Sequence, residues 1–270
     1  MLIQQIINSL HKVRRQSPLI HQITNYVSVN DCANITLAIG ASPVMAHDVN
    51  EVEEMVSHAK ALVLNIGTLQ AQTVEAMLLA GKKAKTCKIP VIFDPVGVGA
   101  TLYRTKTAKR ILEEVKPDVI RCNLSELKVL CGLDTDVKGV DSVAEMEGGE
   151  AAAKALAREI DGIVAVTGKI DIIASKNRHC HIHNGHTFLT RVTGTGCMTT
   201  ALTASFCAVE DPFVGAAAAV LSMGIAGEIA VESLLEDEGI GTFRGKLFDA
   251  IFNLNDDIIK RYARVIEQGE

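Results

Sequence analysis

A glycine-rich turn followed by a cysteine is the stretch of this 270-residue sequence best suited to chemistry. In "VTGTGC" (192–197), two glycines precede Cys197, and a long run of small and apolar residues follows. Such a turn at the start of a helix leaves backbone N–H groups that bind phosphate or another anion. The stretch therefore predicts an anion hole made of Gly194, Thr195, Gly196 and Cys197. The thiol itself is open to four roles: nucleophile, metal ligand, general base or packing.

Polar side chains and glycines also follow four predicted buried strands. They are Asn65 with Gly67 and Thr68, Asp94, Arg121, and Thr167 with Gly168. In a parallel sheet, ligands bind beyond the carboxyl ends of the strands. We therefore expect these residues to line one small-molecule cleft. Ordinary loop composition is the competing interpretation.

Two carboxylates stand out among these strand ends. Glu126 falls in the first turn of a predicted helix that follows a strand, and Asp94 ends the neighbouring strand. Together they could hold Mg²⁺ through water, which is how this hard cation is commonly bound beside phosphates. Alternatively, Glu126 only complements the dipole of its helix. The sequence leaves both interpretations open.

Three histidines alternate in "HCHIH" (179–183), so on a strand His179, His181 and His183 would share one face. Their spacing is not a standard zinc pattern, and no acidic residue lies nearby in the sequence. The stretch therefore favours an exposed hairpin face over a metal site.

The elements that position these residues alternate between apolar strands and helices. Strands are predicted at 61–67, 89–97, 117–123 and 161–168, and helices at 69–86, 103–116 and 124–132. This alternation is typical of βαβ units in a parallel sheet. Residues 171–192 lack a helical period and contain Asn184-Gly185, a strong hairpin signal, so they predict a small antiparallel edge meander. Three helices should follow, at 194–209, 212–235 and 243–265, and the chain reads as one domain, 1–270, with a surface excursion at 134–150.

Composition excludes several classes of protein. The net charge is −5 and aromatic residues make up only 4%, which argues against binding of nucleic acid. The seven cysteines are odd in number and form no CxxC, which argues against a disulfide framework or a zinc ribbon. The N-terminus lacks the pattern of a secretory signal and reads as a helix. The apolar run at 215–227 looks too short and too glycine-rich to span a membrane. The sequence thus predicts a cytoplasmic protein that binds no membrane.

Nine segments, read in order, closely resemble the hydroxyethylthiazole kinase family of the ribokinase-like superfamily. They cover about residues 15 to 245: "HQITNYV" (21–27), "GASPVM" (40–45), "LVLNIGT" (62–68), "DPVGVGAT" (94–101), "RCNLSE" (121–126), "KGVD" (138–141), "VAVTGK" (164–169), "HNGH" (183–186) and "VTGTGC" (192–197). Each segment is weak alone, but the ordered set is specific.

The resemblance implies a central, mostly parallel sheet flanked by helices. It also implies ATP-dependent phosphorylation of 4-methyl-5-(2-hydroxyethyl)thiazole, in thiamine salvage, by a homotrimer with sites at subunit boundaries. It also implies three sets of site residues. The substrate would contact Asn25, Met45, Gly67, Thr68 and Gly194; ATP would contact Arg121, Thr167 and Gly168; and Asp94 and Glu126 would lie near Mg²⁺ and the triphosphate.

The role of Cys197 stays open within this resemblance. Most ribokinase-like kinases carry Asp at this place, where it is regarded as the base that takes the alcohol proton. A helix N-terminus lowers the pKa of a thiol, so a partial thiolate could serve as base. A thiolate beside a triphosphate is a crowded anion, however, so a purely positioning role competes. A covalent phosphothiol is the weakest option.

Other functions compete with this interpretation. The strongest alternative is a ribokinase-like kinase that acts on hydroxymethylpyrimidine or pyridoxal, and the segments "SPVM" and "HQITN" argue against it. The NAD(P)H-hydrate dehydratase branch of the same fold is another. A non-catalytic thiazole or nucleotide sensor would be expected to lack Asp94, Glu126 or the glycine turn, and all three are present.

Overall fold

The computed structural model describes residues 1–133 and 142–269, with side chains for all of these except 142–147 and 269. Nine strands in these residues form one sheet. The strands are β1 (Leu19–Ile23), β2 (Ser42–Val44), β3 (Ala61–Asn65), β4 (Val91–Asp94), β5 (Val119–Asn123), β6 (Ile163–Thr167), β7 (Asp171–Ala174), β8 (Arg178–Ile182) and β9 (Val265–Gly269). Their order is β2-β1-β3-β4-β5-β6-β7-β8-β9.

Helices cover both faces of the sheet. They are α1 (Leu2–Gln16), α2 (Val29–Ile39), α3 (Val52–His58), α4 (Ala71–Thr86), α5 (Leu102–Glu114), α6 (Leu124–Leu130), α7 (Ser142–Ile160), α8 (Thr195–Cys207), α9 (Pro212–Glu232), α10 (Ile240–Asn253) and α11 (Asp256–Tyr262). One apolar core lies between the sheet and α1, α2, α8, α9 and α10, and a second lies between the sheet and α3 to α7. Alanine, valine, isoleucine and leucine dominate both cores, as in other buried parallel sheets.

The sheet is parallel from β2 through β6 and antiparallel from β6 through β9. The predicted α/β architecture with an antiparallel edge is therefore confirmed. The chain crosses from β1 to β2 in one direction and returns past β1 to β3, so the strand order reverses between β1 and β3. A crevice opens beyond the carboxyl ends of strands at such a switch point, and ligands bind there.

The edge meander differs from its prediction in detail. Its turn near Lys176-Asn177 joins β7 to β8, but no hairpin forms at Asn184-Gly185. The Asn184 amide instead donates to Tyr262 O (2.9 Å), and its oxygen accepts from Arg264 N (2.8 Å). These bonds to the C-terminal segment hold the chain away from a hairpin, and a short 3₁₀ helix, Thr187–Arg191, follows.

The C-terminal part of the chain also departs from the expected single helix over 243–265. α10 ends at Asn253, and the side chain of Asn255 accepts from Ile258 N to begin α11. The chain then pairs as β9 with β8. A capping asparagine therefore splits the predicted helix.

Two further expectations need correction. The apolar run at 215–227 belongs to α9, which has 21 residues and is long and apolar enough by itself to cross a membrane. However, 83% of its most apolar window is buried inside the fold, as expected of a core helix. The second half of the predicted excursion at 134–150 is the start of α7, whereas "KGVD" (138–141) lies outside the described residues.

The alternating histidines do not form an exposed face. His179 and His181 are only 7% and 5% exposed, because α7 covers this side of the antiparallel strands. An acidic side chain, Glu150 of α7, lies against both imidazoles. The sequence could not reveal this partner, since Glu150 is distant along the chain.

Candidate active site

The thiol of Cys197 lies at the switch point of the sheet, beside two asparagines. Asn25 follows β1 and Asn65 ends β3, and their Nδ2 atoms lie 3.3 Å and 3.2 Å from Cys197 Sγ. Asn25 Nδ2 also donates to Asn65 Oδ1 at 3.0 Å. Three elements that are far apart in sequence thus meet at one sulfur atom.

Asp94 is the buried centre of the polar network behind this thiol. It ends β4 with no exposed surface and accepts three hydrogen bonds, from Asn65 (2.9 Å), Thr200 (2.7 Å) and Arg121 (3.3 Å). Burial raises the pKa of the Asp94 carboxyl, and Arg121, Thr200 and Asn65 oppose that rise. Because its oxygens are occupied by protein donors, Asp94 orients its neighbours rather than facing the cleft.

Arg121 connects this network to the predicted nucleotide side. Its Nη2 donates to Thr167 Oγ1 at 3.1 Å, while Nη1 contacts Asp94. Burial lowers the pKa of Arg121, but the carboxylates of Asp94 and Glu126 outweigh it, so the pKa lies above its usual value. A methyl group added at Gly196 would overlap the guanidinium. The cation therefore packs directly against the first turn of α8.

The glycine turn has the geometry of an anion site. Gly194 is the N-cap of α8 with φ +85°, a left-handed conformation that favours glycine, and within the described part of the chain no side chain caps the helix. A Cβ at this position would also lie 2.8 Å from the Cβ of Ser28. Gly194 thus allows both the turn and the close approach of α2, and the first N–H groups of α8 stay without a side-chain cap.

The pKa of Cys197 moves opposite to the direction expected for a helix N-terminus. Burial raises it first and the Asp94 carboxylate adds to the rise, whereas hydrogen bonds from Ser28, Asn65 and Asn25 lower it. The balance is a raised pKa. The thiol is therefore predominantly neutral at physiological pH, because its ordinary pKa is already 9.0.

Glu126 caps the start of its own helix and leaves part of its carboxylate without a protein donor among the described residues. It forms a capping box with Asn123, in which Oε2 accepts from Asn123 N and Asn123 Oδ1 accepts from Glu126 N, each at 2.9 Å. Oε1 accepts from Gly97 N at 2.9 Å. Burial raises the pKa of Glu126, and these backbone donors oppose the rise. Each oxygen has one protein donor, so lone pairs remain for water.

A cavity of about 700 Å³ borders Arg121 and the first turn of α8. Its lining includes the three residues predicted for ATP, together with others from four later segments: Arg121, Thr167, Gly168, Asp171, Asn184, Gly185, His186, Thr195, Gly196 and Met223. Nothing in the sequence marks Asp171 as a site residue, apart from its place at the start of the meander. Burial raises the pKa of its carboxyl to about 7, although Gly168 N donates to it at 2.8 Å.

The remaining predicted substrate residues lie around the thiol side. Gly67 N donates to Asn65 Oδ1 at 2.9 Å, and Thr68 Oγ1 accepts from Tyr26 N at 3.3 Å. Met45 lies just beyond the carboxyl end of edge strand β2, beside β1. Asn65 was recognised from the sequence only as a strand end.

Two supporting residues, Thr200 and Arg104, gave no sequence signal. Arg104 fixes the loop after β3 by donating to Ile66 O (2.6 Å) and Gly67 O (2.8 Å). These bonds of Arg104, like the bond from Thr200 to Asp94, join residues that are distant along the chain.

Comparison with known proteins identifies the family of this chain. The Hydroxyethylthiazole kinase family model matches residues 10–257. The chain belongs to the hydroxyethylthiazole kinase family. A hydroxyethylthiazole kinase from Alkaliphilus oremlandii is 50% identical over 260 residues, which cover 96% of each chain.

Solved structures extend the comparison to the fold. A hydroxyethylthiazole kinase protein from Pyrococcus horikoshii matches with a TM-score of 0.90 and 40% identity, over 98% of this chain and 99% of that one. A ribokinase-like superfamily protein from Enterococcus faecalis matches with a TM-score of 0.63 and 14% identity, over 91% and 87%. The latter concerns the fold alone and confirms the predicted ribokinase-like architecture of this family member.

Proposed function

We propose that this protein, acting as a single domain, transfers the γ-phosphoryl group of ATP to the hydroxyl of 4-methyl-5-(2-hydroxyethyl)thiazole. Membership of the hydroxyethylthiazole kinase family supports the reaction. The observation that carries the site assignment is the position of α8. Its uncapped first turn carries the Cys197 thiol and packs against the Arg121 guanidinium, which borders the 700 Å³ cavity.

In the proposed reaction, the alcohol oxygen attacks the γ-phosphorus, the bond from that phosphorus to the bridging oxygen breaks, and ADP leaves. The alcohol proton departs late in such a loose transition state and would pass to an oxygen of the transferred phosphoryl group. N–H groups of residues 194–197 and the charge of Arg121 would stabilise the transferring phosphoryl group. Thr167 and Gly168 would contact ATP from the cavity side.

Of the two predicted carboxylates, Glu126 fits a magnesium ion held through water. Glu126 keeps free lone pairs on both oxygens, whereas Asp94 is fully enclosed and would act through its neighbours. Mg²⁺ bound with ATP neutralises charge on the triphosphate oxygens. Glu126 would hold water molecules of that cation.

On the thiazole side, Asn25, Gly67, Thr68, Met45 and Gly194 would line the pocket. Tyr26 and Val27, directly after Asn25, are 72% and 58% exposed. Large apolar side chains that flank a site in this way favour a subunit boundary. The resemblance to the family implies a homotrimer with sites at subunit boundaries, and light scattering of the purified protein tests this.

Cys197 is best explained as a neutral thiol that positions the substrate hydroxyl and accepts the two asparagine amides. A thiolate base would make kcat rise about tenfold per pH unit below the pKa of the thiol, whereas a positioning thiol leaves kcat flat between about pH 7 and 8.5. Cys197→Ala should lower kcat about tenfold for positioning, against about 100- to 10,000-fold for a base. A rising profile together with the larger loss would overturn this assignment, and Cys197→Asp raising kcat would point to a base at this position.

A coupled ADP-release assay tests the function itself. We expect release that depends on the thiazole alcohol, and much weaker release with hydroxymethylpyrimidine or pyridoxal. Preference for either of those alcohols would reassign the substrate. A protein that binds the thiazole without releasing ADP would be a sensor instead of a kinase.

A further inference from the structure

The buried face of β8 carries a cluster of metal-binding side chains apart from the phosphoryl-transfer site. His179 and His181 are two residues apart on β8 and pair with Ala174 and Ile172 of β7. These partners belong to the core beneath α7, whereas Cys180 faces the opposite core. Both imidazoles therefore point toward α7, which supplies Glu150.

The three side chains converge at their ligand atoms. Glu150 Oε1 lies 3.2 Å from His179 Nε2, and Glu150 Oε2 lies 3.0 Å from His181 Nε2. All three donor groups lie within 4.8 Å of one another, and among the described residues this is the one such group of three. Metal–ligand bonds of about 2.0–2.1 Å in a tetrahedral site separate neighbouring ligands by about 3.3–3.4 Å, close to these distances.

His181 adds a second indication. It is 5% exposed, and its Nε2 lies 3.0 Å from Glu150 Oε2 but outside good hydrogen-bond geometry with any of the described residues. Buried polar nitrogens are nearly always paired, so one aimed into a cluster of donors calls for a partner. A cation at the centre of the cluster would satisfy this nitrogen directly.

We propose that Glu150, His179 and His181 bind one Zn²⁺ ion, with water as the fourth ligand. Two imidazoles and a carboxylate suit Zn²⁺ and similar transition-metal ions better than Mg²⁺, which prefers oxygen ligands. The side chain of Glu150 is 23% exposed, which leaves a path for the ion and its water. The ion would tie α7 to β8 and act as a structural cross-link.

Two neighbouring side chains already contact the proposed ligands, and Zn²⁺ would have to displace these contacts. Lys154 Nζ donates to Glu150 Oε1 at 2.8 Å, and Gln268 Oε1 lies 3.0 Å from His179 Nε2. Zn²⁺ has to compete with the ammonium for the carboxylate. Lys154→Met should therefore raise the affinity for Zn²⁺ while leaving all three ligands in place.

The test is calorimetric titration of dialysed, chelator-treated protein with Zn²⁺ alone. We expect one equivalent per chain, and a zinc-dependent increase in Tm, because a ligand that binds only the folded state stabilises it. His181→Gln and Glu150→Gln should weaken binding by more than the about 10- to 100-fold that loss of an outer-shell partner costs. His58→Gln, on an exposed helix end, is the matched control and should bind normally.

Co²⁺ spectra of the wild-type protein keep the proposal testable if the ligand variants fold poorly. Nitrogen and oxygen ligands give a tetrahedral d–d spectrum without a thiolate charge-transfer band. A thiolate band would assign the metal to one of the free cysteines and overturn the proposal. Absence of Zn²⁺ binding to the wild type, or unchanged affinity in His181→Gln and Lys154→Met, would overturn it as well.

Discussion

Replacing Gly196 by alanine isolates the contact between α8 and Arg121. Gly196 lies inside the helix without a positive φ, so alanine there costs no backbone strain and should favour the helix by about 0.5–1 kcal/mol. The added methyl, however, overlaps the guanidinium that bonds to Asp94 and Thr167. A hydrogen bond to a charged group is worth about 1.5–3 kcal/mol, so displacing Arg121 should outweigh the helical gain.

The expected result is a fall in kcat/KM for ATP of about 10- to 100-fold, which corresponds to about 1.4–2.8 kcal/mol. ADP release under varied ATP measures it. Gly245→Ala in α10 is the matched control, because a Cβ there meets nothing within 4 Å, and it should retain full activity.

A double-mutant cycle with Arg121→Met identifies the cause. If Gly196→Ala acts through Arg121, it should add little to the loss already produced by Arg121→Met. Full activity of Gly196→Ala, or losses that simply add, would refute the reasoning.

Two stability measurements probe the buried carboxylates. Thr200→Val removes the donor to Asp94 and should lower the free energy of unfolding, measured in urea, by about 1.5–3 kcal/mol. The control Thr203→Val loses only a bond to a backbone carbonyl in the same buried helix, so it should lower that free energy by about 0.5–1.5 kcal/mol. Equal losses in the two variants would contradict the role of Thr200. The folded pKa of Asp171, about 7, lies above its ordinary 3.8, so this residue's stabilising contribution is complete below about pH 4 and is lost as pH rises through 7. Asp171→Asn should therefore gain roughly 2–4 kcal/mol relative to wild type between about pH 4 and 8, and a difference that does not change with pH would contradict the raised pKa.

Much of the framework could be predicted because buried strands have a local signature. The apolar runs before Asn65, Asp94 and Arg121 placed these side chains at one edge of the sheet, where the structure joins them. Their roles could not be predicted in the same way. Asn65 looks like an ordinary loop residue until its contact with Cys197 is known.

The failures share a physical cause, which is contact between residues distant in sequence. The hairpin predicted at Asn184-Gly185 does not form, because Asn184 bonds to the C-terminal segment instead. Strand β9 forms only because it pairs with the edge of β8. The pKa of Cys197 rises because surrounding elements bury it, although its position at a helix start predicts the opposite. Glu150 meets the histidines of β8 only through the packing of α7.

The burial of α8 has a consequence for how the protein fluctuates. Every residue from Met198 to Cys207 is buried, yet the turn directly before them leaves N–H groups without a side-chain cap. Amide hydrogen exchange should therefore change steeply within about one helical turn, from readily exchanging donors to amides that exchange only when the whole domain unfolds. The turn that carries the reacting groups is thus anchored directly to the segment that opens last. Any fluctuation large enough to disorder the turn's support would cost nearly the full free energy of unfolding.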